Sequence, residues 1–270
     1  MFGSVSILQL FGFIGRKAIR FLVHLSNIAY LVRDTLYWLC IAPWRGRPLR
    51  RHSIAHEMES IGVQSLPLTC VMSLSLGAVL VVLMGPQFRT FGITQYMPSV
   101  ITVFLVRELS PLLTGIVLAG RVGAAVTARL GTMKVSDEIL ALEVMAINPV
   151  GYLIVPRFLA MVVMLPCLTI LSDVVGLTAG LVVATAGLGL SFQEYLDGTL
   201  HAFTLTDIVF SLLKSLVFAF LIMFIACYEG ITVERGAEGV GQSTMTSVVT
   251  STIMVIVVDG LLSVMFYRFL

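Results

Sequence analysis

The sequence predicts an all-α polytopic membrane protein: five transmembrane helices, an N-terminal interfacial helix and a short cytoplasmic helix between spans two and three. Three observations carry this. Of 270 residues, 58% are hydrophobic and only 12% charged, about half the charged share of a soluble domain. Several windows reach the ~20 apolar residues that cross a bilayer core. Small residues recur at helical spacing, Gly115, Ala119 and Gly123 on one stripe and Gly120, Ala124 and Ala128 on another, with Gly176, Gly180 and Ala184 repeating the pattern. Such stripes let helices approach closely in lipid and fit a tightly packed bundle or dimer.

Residues 5–40 do not read as a span or as a cleavable signal. Arg16, Lys17, Arg20 and Arg33 recur among Phe11, Phe13, Ile14, Phe21 and Leu22, the pattern of a helix lying in the membrane interface. Residues 1–60 are taken as this interfacial segment and 61–270 as the transmembrane domain. The spans are Leu66–Gly85, roughly Met97–Ala119, a stretch within Leu153–Leu188, Ile208–Tyr228 and Val248–Phe266. The third stretch of 36 residues would be about 54 Å as a helix, against a ~30 Å core. One long helix reaching into the cytoplasm is the preferred reading and two short spans the alternative.

With five spans, residues 1–65, 121–157 and 229–247 share one side. They carry eight, four and one of the seventeen basic residues, whereas Arg89 and Arg268 alone lie opposite. The excess of positive charge places that side, and the N-terminus, in the cytoplasm. On it, "VSDEILALEVMAINP" reads as a short amphipathic helix over 136–147. Ser136 serves as N-cap, Asp137 and Glu138 occupy the first turn, Ile139, Leu142 and Met145 form the apolar stripe, and Asn148-Pro149 ends it. Such a helix is either a connector or a docking element for a cytoplasmic partner.

The other motifs exclude functions. A net charge of +2 does not suggest nucleic acid. "GIVLAGRV" lacks the G-K-[ST] ending of a phosphate loop, and "GAEGVG" (236–241) reads as a flexible loop. Cys40, Cys70, Cys167 and Cys227 are scattered without C-x-x-C. His52 and His56 lie four apart beside Glu57 but lack a third ligand, so no metal is expected. No nucleophile–base pair is evident, so this chain alone is not expected to be an enzyme.

Four charges fall inside the spans: Arg107, Glu108, Lys214 and Asp259. Each costs about 2.5–3.5 kcal/mol at mid-membrane, and their formal sum is zero. A compensated network inside the bundle follows, either stapling spans two, four and five or re-pairing during transport. Arg107 and Glu108 are successive and point about 100° apart on a helix, so the expected pairs are Arg107–Asp259 and Glu108–Lys214. Asp173, near the middle of span three, either lines a hydrated surface or pairs with another subunit. Span one offers Leu74, Gly77, Ala78, Val81 and Val82, and span five Ile253, Val257 and Leu261, as apolar surface for lipid tails.

"RELSPLLTGIVLAGRVGAAVTARLGTMKVSDEILALEVMAINPVGYLIVPRFLA" (107–160) closely resembles the MlaE/YrbE family of ABC-transporter permeases. "LLKSLVFAF" (212–220) and "VVDGLLSVMFY" (257–267) resemble that family's fourth and fifth spans. Ser110 stands where the family usually has glycine, and "SDEI" where "TEQI" is common. The resemblance implies a homodimer of five-span subunits in the bacterial inner membrane. It implies docking of a separate cytoplasmic ATPase, which would hold ATP and Mg, on the short helix through Ser136, Glu138, Leu142 and Glu143; this chain would bind no cofactor. An Mce-domain lipid carrier on the outer side, and often a small STAS-domain subunit, complete the implied complex. The implied cargo is phospholipid, moved to maintain outer-membrane lipid asymmetry. It would occupy a cavity at the dimer interface among spans one, two and five. The same four intramembrane charges are expected in the family. A secondary transporter using the buried charges as a proton relay is the alternative, and a scaffold without transport a third reading.

Overall fold

The computed structural model describes residues 30–35, 37–39, 51–234 and 236–267, and among them it is helical without strands. The helices are α1 (Arg51–Ile61), α2 (Leu66–Thr90), α3 (Met97–Phe104), α4 (Ser110–Leu118), α5 (Ala124–Val135), α6 (Glu138–Val144), α7 (Val155–Leu188), α8 (Phe192–Ala202), α9 (Leu205–Ile231) and α10 (Gly236–Tyr267). Five continuous helical stretches are long and apolar enough to span a membrane: Arg51–Thr90, Thr94–Val135, Val150–Leu188, Leu205–Ile231 and Gly236–Tyr267. Alternation of five spans puts α1, α6 and residues 232–234 at one end, here called the basic end.

Span one starts earlier than its apolar run. α1, inside the segment expected to be interfacial, continues through a 3₁₀ turn at Val63–Ser65 into α2. α1 is held to span three by an ion pair between Arg157 and Glu57 at 3.2 Å. Of the expected interfacial helix, residues 30–35 and 37–39 are helical, with Leu31 and Thr35 buried. The remainder of 5–40 lies outside the described residues.

Span two is one helix of 42 residues interrupted by two π-helical turns, Leu105–Leu109 and Ala119–Gly123. Each π turn inserts one residue into the ladder and resets which side chains face the bundle. Span three resolves to a single helix rather than two short ones. α7 runs 34 residues and ends on Gly189 with φ +72, a left-handed C-cap that suits glycine. Asn148 does not simply end α6. Its Oδ1 accepts from the Val150 and Gly151 amides at 2.9 and 3.4 Å, so it starts the next helix.

The spans enclose two cores. The larger, towards the basic end, joins spans two to five through Leu118, Leu130, Phe158, Met161, Phe218, Ile222 and Val255. Phe158 stacks edge-on against Phe220 with centroids 4.8 Å apart. The smaller core joins spans one to three with Tyr195 of α8. The small-residue stripes explain how closely the spans approach. Gly77 of span one faces Gly176 of span three so tightly that a Cβ on Gly77 would lie 1.9 Å from the Gly176 carbonyl oxygen. Beside them the Ser73 and Ser172 hydroxyls meet at 2.6 Å. Gly115 and Gly123 face Phe218 and Ile222 of span four. The second stripe packs less closely among the described residues: nothing lies near a Cβ on Gly120, while Ala124 and Ala128 are half-buried.

Two further features differ from the sequence reading. "GAEGVG" is the first turn of α10 rather than a loop; Gly236 adopts φ +66 to enter the helix, and a Cβ on Gly239 would strike the Glu234 carbonyl at 1.7 Å. α8 was not anticipated. Its capping box, in which Ser191 Oγ accepts from the Glu194 amide and Glu194 Oε2 from the Ser191 amide, is legible as S-x-x-E. α8 lies across the end of span two opposite the basic end, with Ser99 Oγ donating to the Gly198 carbonyl at 2.8 Å.

The span one–three contact yields a prediction. Gly77→Val should lower the thermal unfolding midpoint by about 6 °C, reflecting ~2 kcal/mol of overpacking. Gly187→Ala, where nothing lies within 4 Å, should not lower it. Dye-monitored melting of both variants in detergent checks this.

Candidate functional site

Lys214, in the second turn of span four's apolar run, is fully buried. A buried ammonium in a membrane is sustained only by compensating charge, and the fold supplies it from two directions. Glu108 Oε2 of span two lies 2.5 Å from Lys214 Nζ, and Asp259 Oδ1 of span five lies 3.1 Å away. The Ser263 hydroxyl, one turn beyond Asp259, accepts from Nζ at 2.8 Å and lies 2.8 Å from Glu108 Oε2. One lysine thus ties three spans. The expected Glu108–Lys214 pair is present.

The expected Arg107–Asp259 pair is not, because Asp259 is engaged with Lys214. Arg107 instead reaches Asp207 in the first turn of span four. Its Nε donates to Asp207 Oδ1 at 2.9 Å, and its Nη2 binds the same oxygen. Asp207 is buried and further held by Thr204, whose Oγ1 donates to Oδ2 at 2.6 Å while capping the helix. Sequence reasoning missed Asp207 because it immediately precedes the apolar run and passes for a helix-start residue. The available signal was Thr204-x-x-Asp207 at a helix start. The π turn at Leu105–Leu109 carries both Arg107 and Glu108 and directs them to different partners on span four. With Asp207 the network holds two cations and three carboxylates. Arg107 and Asp207 balance each other at the start of span four, where the dipole also favours the carboxylate, so the excess negative charge sits where Glu108 and Asp259 share Lys214.

Beside this network lies a cavity of about 510 Å³, lined by Ser99, Val100, Val103, Phe104, Arg107, Glu108 and Ala202. Its wall is apolar towards α8 and charged towards the middle of span two. Arg107 and Glu108 each keep about a quarter of their side chains exposed, 28% in both cases. They can therefore face a bound polar group without leaving their partners. Asp173 is buried next to the Ser110 hydroxyl of span two, and its Oδ1 has no hydrogen-bond partner among the described residues. Two turns further along span three, beside Gly180, burial pushes the Tyr195 phenol of α8 up to about 12.

Of the expected tail-facing residues, Leu74, Ile253, Val257 and Leu261 are exposed on the outer faces of spans one and five. Ala78 is half-buried. Gly77 and Val81 are corrected: both turn inward to span three, Val81 without exposure. The absence of a side chain at Gly77 marks helix contact rather than a ligand surface.

At the basic end, α6 is shorter than expected. Ser136 is not its N-cap. Its hydroxyl donates to the Thr132 carbonyl at 2.9 Å and ends α5. The N-cap position is Asp137, and Asp137 and Ala146 both have φ +57, so left-handed residues bracket α6. Ile139 is buried and Leu142 half-buried against the core, while Leu140, Val144 and Met145 are exposed together with Glu138 and Glu143. The outward face is therefore apolar with an acidic edge. Between α6 and the span ends is a cavity of about 350 Å³ bounded by Lys134, Glu143, Asn148 and Ile231.

Comparison with known proteins places this geometry. The family described as Permease MlaE matches residues 54–265. A protein of Rickettsia typhi named "Probable ABC transporter permease protein" is 34% identical over 221 residues, 82% of this chain and 85% of the relative. One of the same name from a Synechocystis strain is 36% identical over 224 residues, 83% of this chain and 85% of the relative. The Arabidopsis thaliana protein "TRIGALACTOSYLDIACYLGLYCEROL 1, chloroplastic" is 35% identical over 212 residues, 78% of this chain and 61% of that protein.

The Arg107–Asp207 pair gives a testable expectation. Arg107→Gln and Asp207→Asn should each destabilise the protein by about 2–4 kcal/mol, because the remaining charge stays buried. The double variant should lose clearly less than the sum of the two. Thermal midpoints of the four proteins in detergent provide the cycle.

Proposed function

This chain belongs to the MlaE family of ABC-transporter permeases, and from that premise we propose that it moves phospholipid between its own membrane and a lipid carrier. Its standing as the membrane-spanning permease of an ABC transporter is the family's, and it replaces the alternative of a secondary transporter. The observation that carries the lipid reading is the ~510 Å³ cavity with Val100, Val103 and Phe104 on its wall and Arg107 and Glu108 beside them. A volume of this size suits a bound organic ligand. Apolar walls accept an acyl chain and the charge pair accepts a headgroup. The name of the plant relative refers to a galactosyl diacylglycerol, which supports a diacylglycerol-based lipid as the cargo.

The rest of the assembly follows in this reading. The chain works as a homodimer in the bacterial inner membrane, N-terminus in the cytoplasm. α6 projects at the cytoplasmic end and docks a separate ATPase that holds ATP and Mg²⁺. Its contact surface is Leu140, Val144 and Met145 with Glu138 and Glu143 at the edge, while Leu142 supports the helix from beneath. An Mce-domain carrier receives or delivers lipid on the opposite side, near α8, and a STAS-domain subunit completes the complex. Lipid exchange with the carrier maintains outer-membrane asymmetry.

Two variants test this together. Val144→Asp should abolish co-purification of the ATPase while the permease still reaches the membrane. Val100→Trp should leave the ATPase bound but reduce lipid-stimulated ATP hydrolysis about tenfold by filling the cavity. Unchanged stimulation in Val100→Trp would remove the cavity from the transport path.

A further inference from the structure

A second cavity, of about 100 Å³, lies at the basic end between α1 and span two, and its lining includes Glu57, Ser60, Gln64, Arg121 and Arg129. We propose that it binds a phosphate group, drawn from a phospholipid headgroup or from free phosphate. Its depth suits a headgroup. The apolar run Met97–Gly120 is about 36 Å of helix, enough to cross a ~30 Å core, and Arg121 follows it directly. On span one, Gln64 and Ser65 immediately precede α2, which begins at Leu66. Both walls therefore place the cavity where the hydrocarbon ends.

Its charge is uncompensated from within. Arg121 donates to Ser65 Oγ, and to Gln64 Oε1 at 3.2 Å, both neutral acceptors. Arg129 is exposed, and among the described residues neither arginine has a carboxylate within ion-pair distance. Glu57, the acidic residue lining the cavity, is paired at 3.2 Å with Arg157. Two guanidinium groups thus line a space with room for one phosphate, and its one lining carboxylate, Glu57, is already engaged by Arg157. Planar guanidinium forks match phosphate oxygens pairwise, and basic pockets between transmembrane helices bind lipid headgroups at this level. Arg121 sits in the π turn Ala119–Gly123, a local rewinding frequent at functional sites. The crevice above, lined by Leu76, Leu113 and Val117, holds only about 10 Å³. Acyl chains attached to the bound phosphate therefore run outside the bundle, over exposed Leu68 and Met72 of span one. That the leaflet concerned is the inner one rests on the orientation proposed above; binding itself does not.

The test uses the full chain in nanodiscs of phosphatidylcholine containing phosphatidylglycerol, with native mass spectrometry counting retained phosphatidylglycerol. Arg121→Gln/Arg129→Gln should retain at least fivefold less than wild type. Arg129→Gln alone, at an exposed residue and so compatible with folding, should retain about threefold less. A parallel arm measures thermal midpoints in detergent with inorganic phosphate against chloride of equal ionic strength. Lower retention with no phosphate effect supports a lipid headgroup as the source. Equal retention, with phosphate stabilising wild type but not the double variant, supports a free-anion site. Equal retention and equal midpoints in wild type and both variants would overturn the proposal. Neither readout needs an ATPase or a carrier, so failure here leaves the transport reading standing, and failure of transport leaves this site standing.

Discussion

The structure depends on a buried ammonium. Lys214 has no exposed surface, so its ammonium is solvated by protein groups alone. Its charge is tolerable only while Glu108 and Asp259 remain beside it, so spans two, four and five cannot separate without exposing an unpaired ion to lipid. Helices in a bilayer lack the hydrophobic drive that joins them in water, and packing, hydrogen bonds and ion pairs hold them instead. At the basic end the same three spans are joined by Thr127, whose hydroxyl lies 3.0 Å from the Ala226 carbonyl and 2.9 Å from Ser247 Oγ. Span one is attached differently, by close backbone approach at Gly77 and Gly176. The bundle thus has a polar three-span unit and a small-residue seam joining span one to span three.

Much of this was legible in the sequence, for reasons that can be named. Five spans and their alternation follow from apolar length and the placement of arginines, whereas the third stretch, preferred as one long helix, was decided against two short spans by the structure. Opposite charges in apolar runs must find one another, which identified Glu108 with Lys214. The reading stopped where a residue has two plausible lives. Asp207 passes for a helix-start residue, Gly77 for a lipid-facing small residue, and Ser136 for an N-cap when it ends the preceding helix. In each case the deciding fact is which way the side chain turns. In span two that depends on π turns that no hydrophobic period reveals. The charged cavity escaped for the same reason, since Val100, Val103 and Phe104 look like any other span residues.

The two π turns also relate the polar sites. One carries Arg107 and Glu108 and the other Arg121, fourteen residues or about 21 Å further along the same helix. Span two therefore runs from the cavity beside α8, past the lysine cluster, to the arginine cavity, and ends at the turn before α6. α6 follows directly on the end of the helix whose middle bears the ion pairs.

The most direct test of the central claim compares Lys214→Met with Lys214→Met/Glu108→Gln/Asp259→Asn by thermal unfolding in detergent. If compensation of the buried charge is what joins spans two, four and five, the single variant loses about 10 °C, the effect of ~3–5 kcal/mol left on unpaired carboxylates. The triple variant then recovers at least half of that loss, because no charge remains to compensate. A triple variant as unstable as the single one, or a single variant that melts like the unmodified protein, would contradict the account.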